Sequence, residues 1–285
     1  MKAAALVVFG VFLVAGTAAA GELRGHLETE DLAAHLRDRG EGVPLSMFGT
    51  YIQKGQRMIY PFFEYYHSSK FEYAPNELGL TDGQDYRGDY RATEALLFFA
   101  YGVTDRLAIE GEAAIIQAQL KTSPSDLSGL PDEIRESGLG DVEGQLRWRW
   151  TAEATSHPEV FSYFETVGPT QKAGSLIGTS DWEFKLGTGV IRGFSWGTMT
   201  ARGSVQYALD GSVFDMGEMA VEYLKRLSPA WRIYAGVEGV QDEVGFIAEA
   251  QWHISRGAIL KLNNAFGLTS KSSDWAPEIG VLFSF

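Results

Sequence analysis

The stretch Trp275 to Phe285, WAPEIGVLFSF, decides how the rest of the chain is read. Every second residue, Trp275, Pro277, Ile279, Val281, Phe283 and Phe285, falls on one face, and Ala276, Glu278, Gly280, Leu282 and Ser284 fall on the other. That is the period of a β-strand with one apolar side. A soluble sheet packs such a side on a core, whereas a transmembrane barrel turns it to lipid. Alternation alone fits both, so the neighbouring segments have to separate them.

Working back from this stretch to Arg57, the sequence divides into alternating segments separated by turn chemistry. It predicts an all-β chain of about twelve strands, at 57–68, 89–102, 105–121, 138–151, 159–168, 181–192, 196–209, 213–227, 230–241, 243–254, 257–268 and 275–285. Connections after the even strands are mostly tight, and three of those after odd strands are long: Ser69 to Gly88, Thr122 to Ser137 and Pro169 to Ser180. Short turns on one side and long loops on the other are the pattern of a transmembrane antiparallel up-and-down β-barrel, with the short side periplasmic. In Asp141 to Trp150, Val142, Gly144, Leu146, Trp148 and Trp150 share one face, and Asp141, Glu143, Gln145, Arg147 and Arg149 share the other. Lipid outside and a polar lumen inside explain the split. Trp148, Trp150, Trp182, Trp196, Trp231, Trp252 and Trp275 stand near strand ends, where interfacial aromatic girdles place them. A soluble periplasmic β-protein is the competing reading.

Composition narrows the functions. The net charge of −13 argues against an electrostatic nucleic-acid binder. With no Cys, disulfides, thiolate metal sites and thiol nucleophiles are excluded. Met1-Lys2, an apolar run from Ala3 to Gly16 and small residues at Ala18 and Ala20 read as a signal peptide over 1–20. Residues 21–55 do not read as strand. Thr29 is placed to cap a short amphipathic helix carrying Leu32, Ala33 and Leu36 and ended by Gly40. This segment is expected either as a plug or, the favoured expectation, as a periplasmic leader against the barrel mouth. The barrel is expected over 56–285.

Projecting strand parity inward gives the lumen-lining candidates. The acids are Glu64, Glu94, Glu110, Glu112, Glu143, Glu165, Glu183, Glu218, Glu222, Glu238, Glu249 and Glu278, and the bases Arg147, Arg149, Lys185, Arg202, Arg226, Arg232 and Lys261. In a narrow bore such charges must pair or stay hydrated. The lattice therefore reads either as structural filling of a closed lumen or as a pore that disfavours anions. Arg147 and Arg149 are expected to pin its acids. Tyr60, Phe62, Tyr66, Phe161 and Tyr163 also project inward and suit a small apolar or aromatic solute. An outer-membrane lipid hydrolase would use His67-Ser68-Ser69, a His-x-Ser spacing, but no Gly follows and no third group to orient the His is evident. Glu110 and Glu112 are successive positions on one face rather than a catalytic couple. His26, His35, His67, His157 and His253 lack metal-ligand spacing. No cofactor and no metal are expected.

Two further segments, Tyr101 to Leu107 (YGVTDRL) and Ser137 to Val142 (SGLGDV), resemble recurring segments of the outer-membrane family named as transporters of the MetA-pathway of phenol degradation. The terminal strand ending in Phe285 is similar to those read by the barrel-insertion machinery of Gram-negative outer membranes. The resemblance covers about Arg57 to Phe285. It implies an outer-membrane barrel in contact with lipid, acting as a transporter of an unnamed small solute, with no catalytic residue.

Overall fold

The computed structural model describes residues 32–209 and 213–285. The expected signal peptide and the capping Thr29 lie outside the described residues. Twelve strands form one closed antiparallel barrel. They are β3 (Arg57–Tyr73), β4 (Tyr86–Gly102), β5 (Leu107–Lys121), β6 (Glu133–Thr151), β7 (Glu159–Gly168), β8 (Glu183–Phe194), β9 (Gly197–Ala208), β10 (Val213–Arg226), β11 (Trp231–Val240), β12 (Glu243–Ser255), β13 (Ala258–Gly267) and β14 (Ala276–Ser284). Each pairs with its neighbour in sequence, and β14 closes the ring on β3 through pairs such as Ile279↔Phe63 and Phe283↔Ile59. Phe285 exchanges both backbone hydrogen bonds with Arg57, so the terminal stretch is the seam of the barrel.

Side-chain exposure runs opposite to that of a water-soluble protein. On β6, Leu146 is 46% and Trp148 39% exposed, whereas Gln145 is 7% and Arg147 3%. Ile279, Phe63, Leu97, Leu186, Val221 and Val237 are likewise exposed on the outside. A continuous apolar exterior around a charged interior is the inside-out arrangement that lipid requires. The seven tryptophans are all exposed. Trp148 packs on Trp150, Trp231 on Trp252 and Trp196 on Tyr223 near the short-turn end, and Trp275 packs on Tyr65 near the long-loop end. These are the two girdles.

The strands at the long-loop end run further than expected. β3 continues through Ser69 to Tyr73 past a register shift between Ser68 and Phe71, and β6 begins at Glu133. Two of the long loops are correspondingly shorter, at residues 74–85 and 122–132, while the third runs on to residue 182.

The N-terminal segment corrects two expectations. In place of an amphipathic helix there is a 3-10 turn over Ala34–Leu36 without a side-chain cap. Strand does occur here: β1 (Val43–Pro44) pairs antiparallel with β2 (Tyr51–Ile52). This hairpin lies within the ring. Val43, Leu45 and Ile52 are buried against Met58, Tyr60, Phe98, Ala108 and Leu282 of the inner wall. At the hairpin tip, Ser46 is bound to Glu110 of β5, while the Phe48 ring stacks on Tyr234 of β11 at 4.7 Å. One short tip thus touches opposite walls, which a leader lying against the mouth cannot do. Gly102 and Gly193 admit its backbone: a Cβ at either would strike the backbone of Gln53 or His35.

Candidate functional site

The lumen has two halves of different character. At the short-turn end, residues 38–52 are held by charges that the wall reserves for them. Arg39 is 3% exposed; its guanidinium donates to Glu153 at 3.0 Å and Glu159 at 2.9 Å, and lies over the Tyr51 ring at 5.3 Å. Burial alone would lower the Arg39 pKa, but Tyr51 and Glu159 beside it outweigh that and hold it above its ordinary value. Burial also pushes the Tyr51 phenol up to about 12. Asp38 accepts the Arg226 backbone N–H at 2.9 Å. Gly42 O accepts from Arg149 at 2.6 Å, and Phe48 O accepts from Gln251 at 3.0 Å and Lys261 at 3.2 Å. What remains between the hairpin and the wall here, beside Pro44, Tyr51, Phe161 and Arg202, is a void of ≈ 20 Å³.

In the middle, the lattice forms around Arg202 as well as Arg147. Arg202 gathers three strands, reaching Glu218 at 2.5 Å, Glu222 at 2.7 Å and Glu238 at 2.8 Å. Arg147 pairs with Glu110 at 3.0 Å, donates to Gln145, and lies over the Phe161 and Tyr163 rings. Lys185 pairs with Glu165 at 2.7 Å and Lys261 with Glu249 at 3.3 Å. Arg202, Arg147, Lys185 and their partners Glu218, Glu238, Glu110 and Glu165 line a cavity of ≈ 200 Å³ whose floor includes Ser46, Met47 and Phe48.

Several candidates serve other ends. Arg149 approaches the buried Glu159 at 4.0 Å, and its head also donates to the backbone carbonyls of Gly42 and Asp105. Arg232 donates to Arg39 O at 3.4 Å, and Arg226 to Arg37 O at 3.0 Å. Glu183 accepts from Thr179 at the long-loop rim. Tyr60 donates to Glu278 while packing with the hairpin, and Phe161 and Tyr163 serve Arg147 and Tyr51. Of the inward aromatics, Tyr163 lines the central cavity, and Phe62 and Tyr66 face the open space toward the long loops.

At the long-loop end lies a cavity of ≈ 620 Å³. Glu64, Glu94, Glu112, Asp141, Glu143, Glu218, Glu238, Glu243 and Glu278 face it together with Phe62, Tyr66, Tyr90, Leu96 and Ile116; Lys261 is the one basic residue of this lining. Glu64 stands opposite both Glu94 and Glu278 in the ladder, and Glu112 opposite Glu143. No Arg or Lys makes a salt bridge to Glu94, Glu112 or Glu143 among the described residues. Like charges set directly across a ladder are destabilising, so these carboxylates need water or a visiting cation. The loop over residues 169–182 folds into this mouth: Ile177 is buried on Ala92, Ala114 and Ile116, Thr179 N–H donates to Asp141 at 2.6 Å, and Gln171 donates to Leu139 O at 2.5 Å.

Arg39, Asp38, Ser46, Glu153 and Glu159 escaped the sequence reading. Of these, only Glu159 carried a signal, since it shares the inward parity of Glu165 on the same strand. The hydrolase arrangement is absent from this surface. Both the N–H and the hydroxyl of Ser69 donate to Asp274, at 2.8 and 2.9 Å, while the His67 ring leans on Trp275 and its Nδ1 has no partner. A base must reach its nucleophile, and here the serine is turned to a carboxylate.

The fold is that of outer-membrane barrels. The COG4313 outer membrane channel from Pseudomonas putida F1 superposes with a TM-score of 0.61 at 14% identity, covering 85% of this chain and 100% of that one. The KdgM porin superposes with a TM-score of 0.51 at 8% identity, covering 80% of this chain and 99% of that one. Likeness at such identities concerns architecture alone. No protein-family model and no curated protein sequence matches the chain.

Proposed function

We propose that this protein is a passive outer-membrane channel for small apolar or aromatic solutes that are neutral or cationic, with the long-loop end outside and the short-turn end in the periplasm. The observation that carries the reading is the ≈ 620 Å³ cavity in which Phe62, Tyr66 and Tyr90 alternate with carboxylates that have no cation of their own. Its volume suits a small molecule, and its charge disfavours anions. The YGVTDRL and SGLGD segments support membership of the phenol-degradation transporter family. They also have structural tasks: Gly102 exchanges backbone hydrogen bonds with Gly55 and Gln56 beside the hairpin, and Asp141 holds the inward loop. The second reading, a structural barrel with a closed lumen, is favoured by the hairpin that fills the short-turn half.

The test is conductance and reversal potential of the mature protein in planar bilayers under a salt gradient. A channel of this kind shows small, cation-preferring conductance, enlarged by small aromatic cations that displace the hairpin or reduced by those that lodge in the cavity. Absence of conductance both with and without such solutes would select the closed structural barrel, and anion preference would overturn the acidic-lumen reading.

A further inference from the structure

On the outside of β3–β6, the strand ladder sorts residues into rows. The row Phe63, Ala95, Ile115 and Leu139 is apolar; the next toward the loops is Tyr65, Thr93, Gln117 and Ser137; the next is His67, Arg91, Gln119 and Arg135. All three rows lie on the outward parity, since their strand neighbours Ala92, Ile116 and Ala118 pack within the barrel. The change from apolar to polar to basic over successive outward positions traces the edge of the hydrocarbon and the start of the headgroup layer. The Tyr65–Trp275 ring pair stands at that edge. The rows are not flat: they frame a cleft of ≈ 300 Å³ whose lining includes Tyr65, Arg91, Gln117, Gln119, Arg135 and one acid, Glu136, whose carboxylate accepts the Leu176 N–H at 2.6 Å.

Arg91 and Arg135 flank Gln119 in register, so two strand spacings, about 10 Å, separate their backbones. Arg91 pairs with Asp89 at 3.0 Å and Arg135 with Glu133, yet the two side chains remain 50% and 71% exposed. A guanidinium has five donors, so one carboxylate leaves most of each fork available. Lys121 stands opposite both Asp89 and Glu133 in the ladder and adds a third positive charge. The Thr93 hydroxyl and the Tyr65 phenol supply uncharged donors within the same cleft, and the Gln119 amide, which donates to Glu133 at 2.8 Å, has a second N–H. Among the described residues near the other loops, the outside is marked by large apolar side chains, with Trp182 46%, Leu209 52%, Phe214 66% and Leu268 59% exposed. In a chain of net charge −13, a basic notch confined to one flank of the headgroup layer is a specific feature.

We propose that this cleft binds the phosphorylated sugar headgroup of an outer-leaflet glycolipid, with Arg91 and Arg135 holding phosphate and the amides and hydroxyls between them holding sugar. The recognition follows from the forked geometry that guanidinium groups offer to phosphate and from the position of the cleft at the height of lipid headgroups. It rests on the membrane-spanning fold and is independent of which solute the lumen takes.

The test is native mass spectrometry of the detergent-purified mature protein with bisphosphorylated lipid A. Three chains are compared: wild type, an Arg91→Gln, Arg135→Gln double variant, and an Arg106→Gln, Arg256→Gln control that removes equal charge at the short-turn end. Heat-modifiable gel migration verifies folding of each. The double variant is expected to lose lipid adducts roughly tenfold while the control keeps them, and the monophosphorylated form is expected to bind wild type more weakly. Arg135→Lys, which keeps the charge and loses the fork, is expected to fall between. Equal adducts on wild type and the double variant would overturn the site, as would equal loss in the control. Displacement of the lipid by millimolar inorganic phosphate would make it a free-phosphate site and overturn the lipid assignment.

Discussion

The two ends of the lumen carry similar inward chemistry and use it differently. Toward the short turns, the N-terminal segment supplies much of the pairing of buried charges: Arg39 for Glu153 and Glu159, Ser46 for Glu110, and the Arg39 carbonyl for Arg232. Toward the long loops, Glu112 faces Glu143 and Glu64 faces Glu94 with no cation between them. Desolvation accounts for the difference. Where the hairpin has displaced water, an unpaired charge costs several kcal/mol; where a cavity of ≈ 620 Å³ remains, water can carry it. Charge pairing in this barrel therefore follows the distribution of water.

The contrast is most exposed to test at Arg39. Replacing it by Gln leaves Glu153 with only Arg192 at 3.5 Å and Glu159 with only Arg149 at 4.0 Å, and breaking a buried pair costs about 3–5 kcal/mol. Arg39→Gln is expected to lower the detergent melting temperature markedly and to raise bilayer conductance as the hairpin loosens. An unchanged melt would mean that water already reaches that half. The opposite sign is expected at the other end. Glu112→Gln with Glu143→Gln removes a like-charged ladder pair, a gain of roughly 0.2–1 kcal/mol, and should raise the melting temperature slightly while weakening cation preference. Destabilisation there would show that a bound cation, not water, compensates the pair.

The smallest effect lies outside the lumen, at Asp274. The backbone N–H of Ser69, together with its hydroxyl, holds the Asp274 carboxyl below its ordinary value. A depressed folded pKa contributes stability that is present above the ordinary carboxylate range and is lost as pH falls through the lowered value. Asp274→Asn should therefore melt slightly below wild type at neutral pH, and the gap should close in acid. A gap that persists in acid would assign the contribution to hydrogen-bond geometry rather than to charge.

Much of this barrel was legible because the membrane imposes a strict rule on alternate residues. Leu146 and Trp148 must face lipid, which sends Gln145 and Arg147 inward, and a slip of one residue would reverse both. Reading failed where that rule stops. Beyond Ser68 in β3 and before Gly138 in β6 the strands rise past the hydrocarbon, so no apolar face marks them, and the register shift after Ser68 breaks the period as well. Val43–Pro44 and Tyr51–Ile52 are too short to show any period. Arg39 meets carboxylates 114 and 120 residues away, a pairing that no local pattern announces. Arg149 followed its parity inward, but its long side chain divides between Glu159 at 4.0 Å and the backbone carbonyl of Gly42, a reach that parity does not specify.

Met47 and Phe48 are at once the tip of the hairpin and part of the wall of the long-loop cavity. Occupancy and closure are therefore reciprocally coupled: whatever gains affinity from that floor also holds the floor in place, by the same factor. A molecule that fits the resting cavity best acts as its own lock. Permeation belongs instead to molecules that bind more tightly once Met47 and Phe48 have withdrawn, since only a difference in affinity between the two states can shift their balance.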